Sequence, residues 1–138
     1  MARFQIGETI GPLVKPPVTQ TQLVKYSGAS GDFNPIHTVD EFAVEAGLGG
    51  VIAHGMLTMA FVGQMLTDTI RAQGEGDLRK FKIRFAGMVR PGDVITCEGR
   101  VTEVFDDGAM QRVTCDIWGQ NQKGDKVVTG QAEFAAAV

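Results

Sequence analysis

The chain is short of several things. Its 138 residues include two cysteines, two histidines, one tryptophan and one tyrosine, and aromatic residues make up only 7%. Cys97 and Cys115 form no CxxC pair, so they read as reduced, half-buried thiols and not as a disulfide framework. His37 and His54 stand in no HxxxH or HxxEH spacing and have no cysteine nearby in sequence, which argues against a catalytic metal. A net charge of −3, with few aromatics and none interleaved with a basic patch, argues against a nucleic-acid surface. The longest apolar stretch, in 56–70, is broken by Thr58, Gln64, Thr67 and Asp68, which excludes a membrane span by that segment. The opening MARFQIGETIG carries no apolar signal-peptide core, so a cytoplasmic location is expected. There is no linker and no internal repeat.

What is present suits one domain, 1–138, with a single core: 43% of residues are hydrophobic. The 18 glycines fall at turns and in one motif region, not in a repeat. Ile10–Pro16 reads as a short strand. Thr19-Gln20-Thr21-Gln22 fits a capping box for a helix ending near Tyr26–Ser27, broken by Gly28 and Gly31. Thr38-Val39-Asp40-Glu41 fits a second capping box for a short helix through Ala46, with Gly47 just past its end. From Gly55 to about Ala72 apolar residues cover most of a helix circumference, which predicts a helix enclosed on nearly all sides. Strands follow at Arg79–Val89, Val94–Phe105, Met110–Trp118 and Lys126–Ala135, with a type II turn at Arg90-Pro91-Gly92-Asp93. The expectation is an α+β domain in which an antiparallel meander curls around one apolar helix.

Residues 26–59 carry the chemistry. They put a carboxylate, Asp32, and an imidazole, His37, on one loop stiffened by Pro35. Ala53-His54-Gly55-Met56 then leads into the apolar helix. Adding water beside a carbonyl needs a group to deprotonate the water, a donor for the carbonyl oxygen and a proton for the neighbouring carbon. Asp32 and His37 can serve the first and third. The first N–H groups of the helix, at Gly55, can serve the second, since they lack internal partners and glycine lets an oxygen approach. Taken singly, Asp32 would cap its loop and His37 would be a satisfied polar residue; the pairing in register favours chemistry. Asn34 can tie the loop back. His54 reads as a structural residue holding the connector, and Tyr26 as packing.

Tyr26, Ser30-Gly31-Asp32, Asn34-Pro35-Ile36-His37 and Ile52-Ala53-His54-Gly55-Met56 resemble the MaoC-like hydratase family, as do Arg84-Phe85 and Arg90-Pro91-Gly92-Asp93. That family includes (R)-specific enoyl-CoA hydratases and 3-hydroxyacyl-thioester dehydratases. The resemblance implies a hotdog fold, usually dimerised edge to edge, and hence a homodimer by sheet-edge pairing. It implies Asp32 and His37 as the catalytic pair and the Gly55 N–H as the oxyanion donor. Asn34 and Met56 would border the substrate, and no cofactor would be needed. One departure stands out: parts of the family carry a helix serine where this chain has Gly63.

The implied reaction interconverts a trans-2-enoyl thioester and an (R)-3-hydroxyacyl thioester, on coenzyme A or acyl carrier protein. Two alternatives stay open: thioester hydrolysis on the same fold, and a non-catalytic acyl-binding or partner subunit. In the run Arg79–Arg84, single charges read as a solvated strand face. As a group, Lys82 and Arg84 are candidates for a phosphate or carrier-protein rim, because an acidic protein needs a local patch to hold an anionic substrate. Gly63 leaves two readings, close packing of a strand or passage of an acyl chain.

Overall fold

The computed structural model describes residues 3–138. Its elements, in order, are β1 (Thr9–Val14), α1 (Gln20–Ser30), a 3-10 turn (Pro35–His37), α2 (Asp40–Glu45), α3 (Gly55–Ala72), β2 (Gly76–Phe85), β3 (Thr96–Asp107), β4 (Met110–Gln120) and β5 (Lys126–Ala137). The five strands form one antiparallel sheet in the order β1-β3-β4-β5-β2. It curves around α3, which makes the fold an α+β hotdog. The core is apolar: Leu57, Phe61, Val62, Met65, Leu66 and Ile70 of α3 meet Val101, Val113, Ile117, Val128 and Phe134 of the sheet. Cys97 and Cys115 lie in this core as free thiols, and burial pushes both up to about 11.

Only β3, β4 and β5 form the expected meander. β2 lies beyond β5, so the link from β2 to β3 crosses to the other side of the sheet. The Arg90–Asp93 turn explains why. It closes with an Asp93 N–H bond to the Arg90 carbonyl at 3.0 Å, and Gly92 takes φ 95°, as a type II turn requires. The turn then docks on Val18 through two backbone bonds, Val18 N–H to Asp93 and Gly92 N–H to Val18. Those bonds tie it to the segment after β1 and away from β2.

α1 runs through Gly28 instead of stopping before it. Its end is Gly31, in the left-handed region at φ 78°, with its N–H on the Ser27 carbonyl. Thr19 caps the start by accepting from Gln22 N–H. The Thr38 capping box does not form. Val39 is the N-cap of α2 and has no side-chain cap, while Asp40 accepts from Val51 N–H and so pins the connector to α2. Nor is α3 enclosed on nearly all sides. Met56, Ala60, Gln64 and Asp68, four residues apart along one stripe, are exposed, because one sheet reaches around only part of a helix.

The rings of Phe81 and Phe85 on β2 lie over two glycines of α3. Phe81 approaches Gly63 and Phe85 approaches Gly55. These contacts place the end of β2 at the start of α3. For Gly63 they support the packing reading, a ring seated where a side chain would stand.

Candidate active site

The loop that carries Asp32 and His37 is built from short side-chain bonds. Asp32 follows the Gly31 cap of α1. Its Oδ1 accepts from Asn34 N–H at 3.2 Å, and Asn34 Oδ1 in turn accepts from Ile36 N–H at 3.2 Å. Pro35 opens the single 3-10 turn that carries His37. Asp32 therefore does cap its loop, but with one oxygen only. The other, Oδ2, faces His37 Nε2 at 3.7 Å. A water oxygen about 2.8 Å from each atom fits across that gap.

His37 is buried, whereas the Asp32 side chain is 51% exposed. His37 Nδ1 lies 2.8 Å from the Ile52 carbonyl. A carbonyl can only accept, so Nδ1 carries a proton, and in the neutral ring Nε2 presents a bare lone pair toward Asp32. The same bond holds the connector, together with Ile52 N–H on Ile36 and Ala53 N–H on Val89. His37 thus shares the tethering that the sequence suggested for His54 alone.

His54 has a different place. It is fully buried and stacks on His37, with ring centroids 3.8 Å apart and planes 22° apart. Its Nε2 lies 3.0 Å from Ser27 Oγ and 3.3 Å from the Asp32 carbonyl. Tyr26 meets its edge at 4.8 Å. Burial, and then the neighbouring His37, push its pKa below the ordinary value; the Asp32 carbonyl and the Asp32 charge pull weakly the other way. Sequence reading missed Ser27 and the stack altogether, because the first depends on α1 and the second on the 3-10 turn packing against the connector.

His54 is also the N-cap of α3 and makes no side-chain cap bond, so the first N–H groups of the helix are left free for a ligand. Gly55 follows it directly and is exposed, as is Met56. The Asp32–His37 pair and the helix start are thus joined through one residue. Phe85 stands against Gly55. Asn34 is exposed on the loop. Lys82 and Arg84 lie elsewhere: they alternate with Phe81, Ile83 and Phe85, so they point to the outer face of the sheet, away from α3.

Asp32, His37 and His54 are also a possible cation cluster, with one ligand atom from each within 4.8 Å of the others. Spacing in sequence gave no hint of this. The geometry suits a metal poorly. Two ring nitrogens already face backbone carbonyls, and lone pairs that lie in two rings stacked 3.8 Å apart and 22° from parallel do not converge on one ion.

A curved sheet around a helix, with a carboxylate and an imidazole at the helix mouth, is the layout of a hydro-lyase of the hotdog class. The chain belongs to the MaoC-like hydratase/dehydratase family: the family's description, MaoC like domain, matches residues 3–123. Over 109 residues it is 41% identical to the fatty acid synthase subunit beta of Aspergillus oryzae, covering 78% of this chain and 5% of that one. It thus spans a small fraction of that fungal subunit. It is 27% identical over 125 residues to a 3-hydroxybutyryl-CoA dehydratase of Methylorubrum extorquens, covering 91% of this chain and 75% of the relative. Among solved structures, the (R)-hydratase from A. caviae involved in PHA biosynthesis superposes with a TM-score of 0.83 at 25% identity, over 98% of each chain. Among the described residues, no helix is long and apolar enough to cross a membrane.

Proposed function

We propose that this chain reversibly hydrates trans-2-enoyl thioesters to (R)-3-hydroxyacyl thioesters, without a cofactor. The observation that carries the reading is Asp32 Oδ2 facing the bare His37 Nε2 at 3.7 Å, one ring stack away from the start of α3. The pair grips one water. As the water oxygen bonds to C3, one member takes a proton from it. The C2=C3 electrons move toward the thioester oxygen, which the Gly55 N–H stabilises. A proton from the pair then reaches C2 and the carbonyl re-forms. One water is added overall, and dehydration runs the same steps backwards. Each acid/base group typically contributes roughly 10²–10⁴ in rate.

The (R) configuration is supported by the name of the A. caviae neighbour, and the thioester by the name of the Methylorubrum dehydratase. The carrier is coenzyme A or acyl carrier protein, and the fungal synthase likeness keeps the second in play. Asn34 and Met56 border the thioester, and Lys82 and Arg84, on the outer face of β2, serve as a rim for the phosphates of the carrier and not in the chemistry. Residues 1–138 act as one domain in a cytoplasmic homodimer, paired along the free edge of β2.

The test is hydration of crotonyl-CoA, followed as loss of enoyl absorbance, with and without EDTA, and chiral analysis of the product. Activity indifferent to EDTA and lost in Asp32→Asn and His37→Ala is expected. Thiol release without hydration would move the assignment to hydrolysis, and light scattering showing a monomer would remove the dimer.

A further inference from the structure

The acid/base pair and the oxyanion donor come from separate segments, and His54 touches both. It precedes Gly55 in sequence, stacks its ring on His37 at 3.8 Å and reaches the Asp32 carbonyl with Nε2 at 3.3 Å. On its far side Ser27 Oγ lies 3.0 Å from the same nitrogen, and Ser27 is itself buried. Among the described residues, His54 Nδ1 is the one buried side-chain polar atom without a hydrogen-bond partner.

These contacts fix where the proton sits. The Asp32 carbonyl can only accept, so Nε2 must carry the hydrogen, and the Ser27 hydroxyl can share it as an acceptor. The orphan Nδ1 is then a bare lone pair. A buried acceptor without a partner is tolerated better than a buried N–H without one. His37 holds the opposite tautomer, with its proton on Nδ1 for Ile52. The two stacked rings therefore carry their hydrogens on different nitrogens, each dictated by a backbone carbonyl.

We propose that His54 is a positioning residue for the reaction, holding the Asp32 backbone with its single N–H and the His37 ring with its face. The inference rests on the hydratase reading above. It goes beyond that reading by assigning the spacing of the catalytic pair to a residue that touches no substrate. His54→Gln keeps an N–H donor and removes the ring face. His54→Phe keeps the face and removes the donor.

The experiment measures kcat and KM for crotonyl-CoA in both variants, well below their melting temperatures, beside nitrogen-15 NMR of the wild-type imidazoles. Each variant loses about tenfold to a hundredfold in kcat, the scale of a misplaced catalytic group. KM moves by less than about threefold, because binding contacts are untouched. NMR finds His54 protonated on Nε2 and His37 on Nδ1. A residue that only packs would lower the melting temperature and leave the turnover of folded protein unchanged. Wild-type kcat in either variant, or a proton on His54 Nδ1, overturns the inference. A wild-type chain that hydrates no enoyl thioester overturns the hydratase reading instead, and the NMR result then stands by itself.

Discussion

The ring of Phe85 closes over Gly55: a Cβ at position 55 would lie 2.9 Å from Cε1 and 3.0 Å from Cζ of that ring. A side chain there fits only if Phe85 moves, so the glycine at the mouth of α3 is what lets the ring sit where it does. Phe85 is half exposed and can swing outward, which keeps Gly55→Ala foldable.

Gly55→Ala is therefore expected to keep its melting temperature within a few degrees and lose activity. Alanine keeps the N–H but its Cβ holds the thioester oxygen off, so the loss is bounded by roughly 10²–10³ in kcat, the scale of removing one oxyanion donor. If the displaced ring contributes, Gly55→Ala combined with Phe85→Ala recovers part of the turnover, since residues in contact do not add. Steady-state kinetics on the two single variants and the double variant decide it. Unchanged kcat in Gly55→Ala would remove Gly55 from the mechanism.

Asp32 has two separable jobs, and a pair of substitutions divides them. Asparagine keeps the Oδ1 bond to Asn34 N–H and removes the charge that faces His37. Asp32→Asn should thus stay within about 0.5 kcal/mol of wild type in stability, as exposed positions do. Its activity falls by roughly 10²–10⁴. Asp32→Ala loses the loop bond as well and is destabilised by a further 0.5–1.5 kcal/mol or so. Urea unfolding and the crotonyl-CoA assay on both proteins separate the two effects.

Much of the site was legible because it is local. Asp32, Asn34, Pro35 and His37 sit in one loop whose hydrogen bonds span two residues each, so their spacing encodes their geometry. Gly55 was legible as a helix start for the same reason. What stayed hidden is tertiary. The stack of His54 on His37, the Ser27 bond and the Phe85 cover join segments that only the fold brings together. Strand content followed from two-residue alternation, but alternation does not encode order, and β2 went to the far side of β5. Apolar residues around α3 overstated its enclosure, since Met56 and Ala60 count as apolar wherever they point. Gly28 was read as a breaker, yet a single glycine costs a helix only about 1 kcal/mol, which capping and packing offset.

Gly63 tests the packing of β2 on α3 away from the chemistry. A Cβ there would sit 3.3 Å from Cε2 of Phe81, a tight contact with a half-buried ring that a small shift relieves. The helix gains about 1 kcal/mol from replacing an interior glycine. Gly63→Ala is therefore expected to be neutral to slightly stabilising, with hydratase activity kept. Gly63→Leu should unseat Phe81 and destabilise by about 1–3 kcal/mol, as overpacking does. Thermal unfolding of the two variants checks this, and an equally stable Gly63→Leu would show that Phe81 does not pack there.

His54 makes stability depend on pH in a definite direction. In the unfolded chain its imidazole titrates near the ordinary value of 6.5, and in the folded chain it does so lower, chiefly through burial. Between those two values the unfolded chain binds a proton that the folded chain does not, so stability rises with pH across that window. Above 6.5 both states are neutral at this ring and it contributes no slope. As pH falls below 6.5 stability is lost, until the folded-state value is passed and the slope vanishes again. Protonation would also put a charge against His37, whose ring lies 3.8 Å away. His54→Phe cannot titrate. Its urea midpoint should therefore fall less than that of the wild type between pH 7.5 and pH 5.5, the range that spans the ordinary imidazole value. Parallel midpoints across that range would mean that His54 is charged as readily in the fold as outside it, against the burial that surrounds it.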